Sequence, residues 1–432
     1  MKKLARLFGV TALLGGLALL PRPPRSKPTL LAPWPRLLAA GLSPLLLISG
    51  AVGALLGLLS GALGALAAGV FGAVAAAWHV KEAGEARADL SSVFGPDWEA
   101  GFPTDQLPEM TPDDTPIPRP APPLIPWEQD VRIGTHAETD EPLLADLWLP
   151  PRGVPRSGLG VIYLHGSGWH YLDKDFGTRW FFAHLAALGH VVLDVAYKMA
   201  PRADMQGMLN DVRRAVAWMK TEGASYGVRP DRVILGGASA GGQLALLAAY
   251  TPRHPDLQTP DVTIDQSVRG AFTFYAVTDL AAFHDHMSAA YGDLLIGRSE
   301  AVRRLLDGVE TVMKRIRALP SYGEFITGQL MLRRALGGAP TDLPEMYRLY
   351  SPLAHVGPDC PPTLIVQGAD DCVVPAIDHG QALDRALSEA GAPVIYLEIP
   401  GVDHGFDLFF PRWSPAVASA YYHIERFLAL LT

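Results

Sequence analysis

From Leu37 to Trp78 the chain carries no charged side chain, and Ser43, Pro44, Ser49 and Ser60 are the main interruptions in a run of Leu, Ala, Gly and Val. A helix rising about 1.5 Å per residue needs about 20 residues to cross a hydrocarbon layer of about 30 Å. The run therefore suits two membrane spans that turn near Ser60-Gly61. A single buried helix of a soluble core would have to be apolar on every side over twice that length, which disfavours it. Gly53, Gly57 and Gly61 form overlapping small-xxx-small pairs of the kind that let helices approach closely.

A shorter apolar stretch, Leu7 to Leu20, follows Met1-Lys2-Lys3 and reads as a signal-peptide core or a short first span, with no small-x-small cleavage site after it. Pro21 to Lys27 and Arg36 then make a basic, proline-broken loop. The positive-inside tendency puts that loop, both hairpin ends and the rest of the chain in the cytoplasm. If residues 7–20 span as well, three spans carry the remainder to the other side. Both arrangements stay open. Residues 1–100 are thus expected to anchor the protein in a membrane, with a possible short span at 7–20 and a hairpin at 37–78.

Gly101 to Trp127 contains nine prolines and no apolar period, as a semi-extended tether does. It is expected to separate the membrane region from a domain over residues 128–432. A formal net charge of -8 offers no basic stripe for phosphates, so nucleic acid is excluded as a partner. Cys360 and Cys372 are too few for a disulfide framework and lack the spacing of a zinc site.

Beyond the tether, short β-rich runs alternate with helical patterns. Strands are predicted at Val161–Leu164, Val191–Val195, Val233–Leu235, Ala271–Tyr275, Thr363–Val366 and Val394–Ile399. Helices are predicted at Phe176–Leu188, Met205–Tyr226, Gln243–Tyr250, Ile377–Ala390 and Ala416–Leu431. Such alternation implies an α/β fold, a mostly parallel central sheet with helices on both faces.

The strand Val233–Leu235 runs into Gly237-Ala238-Ser239-Ala240-Gly241. A Gly-x-Ser-x-Gly at a strand-to-helix junction is the pattern of a nucleophile elbow. A phosphate-binding loop is the competing reading, but the Lys of a Walker loop and the third spaced Gly of a dinucleotide loop are missing. Upstream, Val161–Leu164 ends at His165-Gly166-Ser167-Gly168-Trp169-His170, a loop able to offer backbone N–H groups to an oxyanion. Gly166 and Ser167, with Ala240 after the nucleophile, are the expected donors.

A serine hydroxyl needs a positioned base. Among 13 histidines, His404 is selected because Asp403-His404-Gly405-Phe406 follows a predicted strand, and open α/β sheets place their ligands at strand carboxyl ends. An acid is expected after the preceding strand, in Gly368-Ala369-Asp370-Asp371. Asp371 is chosen, while Asp370 is expected to shape the turn and Asp403 to diverge from its neighbour His404.

The order Ser239, Asp371, His404, with the glycine loop ahead of all three, resembles the α/β-hydrolase esterases related to hormone-sensitive lipase and feruloyl-esterase-like carboxylesterases. The resemblance covers about residues 128–432 and includes Asp194-Val195-Ala196-Tyr197-Lys198-Met199-Ala200-Pro201 and Tyr350-Ser351-Pro352-Leu353. Ser167 stands where the family more often has a second glycine, and Lys198 where it more often has arginine. It implies hydrolysis of small-molecule or lipid-like carboxylic esters through an acyl-serine, with no metal or organic cofactor. The same constellation serves amidases, peptidases and acyltransferases, and a catalytically inactive membrane scaffold is the reading from another class. Much of Phe283 to Leu330 falls outside the resemblance, and its apolar content predicts a helical cap over the pocket.

Overall fold

The computed structural model describes residues 1–22, 33–102, 110–112, 117–136, 139–291, 308, 311–312, 315 and 329–432. Four helices open the chain: α1 (Lys2–Ala18), α2 (Pro33–Gly41), α3 (Ser43–Ser60) and α4 (Leu63–Gly84). Eight strands follow: β1 (Trp127–Thr135), β2 (Pro142–Trp148), β3 (Gly160–Leu164), β4 (Val191–Val195), β5 (Val233–Ala238), β6 (Gly270–Phe274), β7 (Thr363–Gly368) and β8 (Val394–Ile399). They form one sheet in the order β1-β2-β4-β3-β5-β6-β7-β8. β1 and β2 are antiparallel to their neighbours, and every pairing from β4 to β8 is parallel.

The central strands β3, β4, β5, β6 and β7 are buried at every position. That requires cover on both faces, the condition of a parallel sheet. The helices α5 (Arg179–Ala187), α6 (Met205–Thr221), α7 (Ser239–Tyr250), α8 (Leu280–Tyr291), α9 (Gln329–Leu336), α10 (Pro344–Leu349), α11 (Gly380–Glu389) and α12 (Pro415–Leu430) supply it. One core joins the sheet to Met208, Leu244, Leu280 and Leu383 of α6, α7, α8 and α11. The other joins it to Phe181 of α5 and to Val417, Ile424 and Phe427 of α12. α6 starts where the Asp204 carboxylate accepts the Gly207 N–H, and α12 where Ser414 caps Val417, each satisfying an N–H that the helix itself leaves unpaired.

The sheet therefore has the parallel core expected, extended by the β1–β2 hairpin that the sequence did not reveal. α7 begins at Ser239, four residues earlier than expected. Much of the expected cap at 283–330 lies outside the described residues. Its flanks do not: Phe283 and Met287 on α8, and Met331 and Leu332 on α9, are buried in the first core.

Among the described residues α3 and α4 are the two helices long and apolar enough to cross a membrane, and they turn at Gly61, whose φ is +67°. α1 lies in the groove between them. A Cβ on Gly53 would stand 2.6 Å from the Gly9 nitrogen, and one on Gly72 would stand 2.3 Å from the Ala12 carbonyl carbon. Backbones this close need glycine. Gly9 also meets Ala65, and Gly16 meets Gly72, so α1 runs parallel to α4 with Met1 beside the hairpin turn. The buried positions of α1 are Ala5, Gly9, Ala12 and Gly16; those of α3 are Ser43, Gly50, Gly53 and Gly57. The large side chains face outward: Leu7, Leu14, Ile48, Leu58, Leu63 and Val74 are all more than half exposed.

The proline-rich segment does not hold this bundle apart from the sheet. Leu37, Ala40, Ala76 and Ala83 join the second core. The Ala88 N–H donates to His423 Nε2 at 2.9 Å, and Ser419 Oγ donates to the Ala86 carbonyl at 2.6 Å, both on α12. Thr111 Oγ1 donates to Glu425 Oε1 at 2.9 Å, and the Arg119 guanidinium lies 4.5 Å from the Tyr421 ring centre. The described parts of the tether are laid along α12 because buried polar groups on that helix find their partners there.

Candidate active site

Ser239 sits at the junction of β5 and α7 with φ +53°, in the left-handed region where a side chain stores strain. The chain pays for this turn with glycines whose neighbours leave no room for a side chain. A Cβ on Gly237 would lie 2.6 Å from the Gly241 oxygen, and one on Gly241 would lie 2.1 Å from the Leu164 oxygen. The spacing of the motif is therefore set by steric contact with the end of β3, and the Ser239 hydroxyl is pushed up at the carboxyl edge of the sheet.

His404 and Asp371 arrive from the loops after β8 and β7. His404 Nε2 is 3.0 Å from Ser239 Oγ, and His404 Nδ1 is 2.9 Å from Asp371 Oδ2. Asp371 Oδ1 accepts the Val373 and Val374 N–H groups at 2.9 and 2.7 Å, while Oδ2 also accepts from Gln367 Nε2 at 3.3 Å. With four donors converging, the carboxylate has one orientation open to it. Burial pulls the His404 imidazole down, but the charge and hydrogen bond of Asp371, with the charges of Asp403 and Asp407, outweigh it and leave His404 above its ordinary value.

Of the expected oxyanion donors, Gly166 lies directly against Ser239: a Cβ on it would be 3.4 Å from the Ser239 Cβ. Ala240 is buried at the first turn of α7. The Ser167 side chain turns away from Ser239 into a buried network. Its Oγ accepts the Trp169 N–H at 2.9 Å and lies 2.6 Å from Tyr197 Oη, whose hydroxyl donates to the His165 carbonyl at 2.8 Å. The Tyr197 ring stacks on His165 at 4.6 Å. Trp169 Nε1 donates to Gln243 Oε1 at 3.0 Å, and Gln243 Nε2 donates to the Tyr350 carbonyl at 2.8 Å. These bonds tie the glycine loop to α7 and to the segment after α10.

Three supporting side chains escaped sequence reasoning. Tyr197 braces the glycine loop, yet its only signal was its place in the segment after β4. Tyr275, just past β6, sets its ring 4.4 Å from the His404 ring, tilted by 55°, and donates its hydroxyl to Asp407 Oδ1. Burial raises Asp407 to about 6. Nothing in the sequence distinguishes Asp407 from other loop acids. Asp370 and Asp403, the chain neighbours of Asp371 and His404, make no hydrogen bond to the His404 ring and meet arginines of the N-terminal region. Among the described residues no group of three or more His, Cys, Asp or Glu side chains converges as a metal site requires.

A family profile described as alpha/beta hydrolase fold matches residues 161–408, more than half of the chain. The chain is 29% identical over 301 residues to probable carboxylic ester hydrolase LipM of Mycobacterium tuberculosis, covering 69% of this chain and 60% of that protein. It is 27% identical over 290 residues to esterase LipQ of the same organism, covering 67% and 59%. The chain thus spans about 60% of the length of these curated relatives. Among solved structures it resembles esterase B of Lactobacillus rhamnosis, with a TM-score of 0.54 and 20% identity over 72% of this chain and 88% of that one.

Proposed function

The chain belongs to the α/β-hydrolase fold family, and from that premise we propose that it hydrolyses carboxylic esters through an acyl-serine while its N-terminal helices hold it in a membrane. The observation that supports the chemistry is the unbroken hydrogen-bond line from Asp371 through His404 to Ser239. His404 Nε2 takes the hydroxyl proton as Ser239 Oγ attacks the ester carbonyl, and Asp371 holds Nδ1–H so that Nε2 is the free acceptor. The N–H groups of Gly166, Ser167 and Ala240 are the proposed donors to the oxyanion, fixed before reaction by the Tyr197 and Trp169 bonds. His404 then protonates the departing alcohol and activates the water that releases the acid. No step calls for a metal or an organic cofactor.

The membrane reading is supported by a bundle that is inside-out for a soluble protein. Apart from His79 near the hydrolase domain, the buried positions of α1, α3 and α4 are Gly, Ala and Ser, and the exposed large side chains are mainly Leu, Ile and Val. A water-soluble bundle buries its large side chains. In a bilayer the hydrophobic effect between helices vanishes, and close backbone approach through small residues takes over. With α1 parallel to α4, the Lys2-Lys3 end lies beside the hairpin turn and the hydrolase domain lies at the opposite end. The Pro-rich segment at 101–127 then precedes a catalytic domain over 128–432 that carries the cap region at about 283–330 as an insertion.

The test uses the full chain in detergent or liposomes. Wild type should turn over short-chain p-nitrophenyl esters and react with a fluorophosphonate probe, Ser239→Ala should do neither, and alkaline carbonate should leave the protein in the membrane pellet. A folded wild type that neither labels nor turns over would mark an inactive scaffold, and preferential cleavage of the matching anilides would mark an amidase.

A further inference from the structure

The two loops that bring Asp371 and His404 together are each held from outside the hydrolase domain. Asp370 adjoins Asp371, and Asp403 adjoins His404. Arg36, on α2 just ahead of the α3–α4 hairpin and 1% exposed, donates through Nη1 to Asp370 Oδ2 at 2.6 Å and to the Gly401 carbonyl at 3.3 Å. Its Nη2 donates to the Leu20 carbonyl, which fastens the end of α1 to the same point. Arg22, just beyond α1, donates its backbone N–H to Asp370 Oδ1 at 3.2 Å and its Nη1 to Asp403 Oδ2. Asp403 is fully buried, and its Oδ1 accepts the Cys372 N–H at 3.0 Å and the His404 N–H at 2.8 Å. One carboxylate thus bonds both active-site loops, and an arginine from the membrane region bonds that carboxylate. The end of α4 reaches the same place, since a Cβ on Gly401 would lie 2.7 Å from His79 Nδ1.

We propose that Arg22 and Arg36 are positioning residues of the active site, acting through Asp403 and Asp370 to fix the loops that carry His404 and Asp371, so that the membrane anchor is part of the catalytic apparatus. The proposal rests on the esterase reading above. Its physical basis is that a buried carboxylate without its cation either takes up a proton or reorients. Protonation weakens, and reorientation breaks, the bonds from the Cys372 and His404 N–H groups that Asp403 now accepts. Displacing a reacting group by about 1 Å is enough to cost about a hundredfold in rate. Charge matters as well. The groups facing His404 are Asp371, Asp403 and Asp407, which are acidic, together with Tyr275, His379 and Ser239. Arg22 offsets one of the three carboxylates, and without it their field on the imidazole is stronger.

The experiment uses full-length protein in liposomes with a p-nitrophenyl ester. Arg36→Gln should lower kcat by about tenfold to a hundredfold with KM little changed, and Arg36→Lys should recover only part, because one ammonium lacks the fork that reaches Asp370, Gly401 and Leu20 together. Arg22→Gln should move the acid limb of kcat/KM upward by on the order of half a pH unit, Arg22→Lys should move it back, and the Arg22→Gln, Asp403→Asn double variant should return it to or below the wild-type position. A merely structural role does not give that charge-dependent reversal. If Arg22→Gln and Arg36→Gln keep wild-type kcat and limb, or if activity falls with no reversal in the double variant, the proposal is overturned. A wild type that neither labels with fluorophosphonate nor turns over ester would instead overturn the esterase reading on which it stands.

Discussion

Asp371→Asn is the most discriminating substitution, because the hydrogen bonds around this carboxylate dictate what an amide must do in its place. Oδ1 accepts two backbone N–H groups, from Val373 and Val374. The asparagine oxygen has to occupy that position, since an NH₂ there would face two donors. The NH₂ is then directed at His404 Nδ1, 2.9 Å away in the wild type. Nδ1 becomes an acceptor, the ring proton moves to Nε2, and Nε2–H now faces Ser239 Oγ. The imidazole can no longer take the hydroxyl proton. In the serine-protease triad the corresponding change costs about 10⁴ in kcat, or about 5 kcal/mol of barrier. We expect a loss of that order here, with the fold kept because side-chain volume and both backbone bonds survive. The assay is steady-state ester turnover beside the rate of fluorophosphonate labelling, with circular dichroism as the control. Asp370→Asn and Asp403→Asn should lose no more than the roughly tenfold to hundredfold expected of Arg36→Gln, since they act only on loop position and neither touches the imidazole nitrogens. An Asp371→Asn enzyme within tenfold of wild type, with Asp403→Asn dead, would refute both the tautomer argument and the choice of acid.

Gly241→Ala should abolish folded protein rather than activity alone, because its methyl would stand 2.1 Å from the Leu164 oxygen and 2.4 Å from the His165 oxygen, both backbone atoms that cannot yield; a soluble, labelled variant would refute this. Tyr197→Phe removes the hydroxyl that bonds Ser167 and the His165 carbonyl, so stability should fall by about 1–3 kcal/mol, and kcat should fall more than KM rises as the oxyanion loop loosens. An unchanged kcat would show that the brace does not reach the reaction. Burial lowers His190 and His379 to about 4. Each therefore contributes stability that is complete above the ordinary histidine range and lost as the pH falls toward 4, up to about 3 kcal/mol apiece. Denaturant unfolding followed from pH 7 to pH 4.5 should show this decline, and a flat profile would contradict it.

The parallel strands were readable in advance because burial on both faces leaves short runs such as Val161–Leu164 and Val191–Val195 that have no other use. β1 was not. Its exposed positions hold Glu128, Gln129, Asp130 and Arg132, and irregular registers between Glu128 and Val131 and between Arg132 and Gly134 erase the two-residue period. The early start of α7 escaped for a different reason: Gly241 and Gly242 are poor helix formers, and close contacts with Leu164 at the end of β3 and with Ala276 beyond β6, rather than propensity, select them. That Ser239, Asp371 and His404 meet could be anticipated from chain order and their places after strands. The contacts behind them could not, since Arg22 and Asp403 are 381 positions apart, and no local pattern marks an arginine in a basic loop as the partner of one particular aspartate.

The bundle joins the hydrolase domain at the loops following β7 and β8, on the same rim of the sheet as Ser239. With the bundle in a bilayer, that rim faces the lipid surface instead of the bulk solution. Collisions with an amphiphilic ester are then governed by its mole fraction in the surface, and adding inert lipid at constant ester should slow turnover by dilution in two dimensions. For a fully water-soluble ester the same addition should change nothing. Apparent KM values expressed per litre would in that case describe the amount of membrane in the tube as much as the fit of substrate to site.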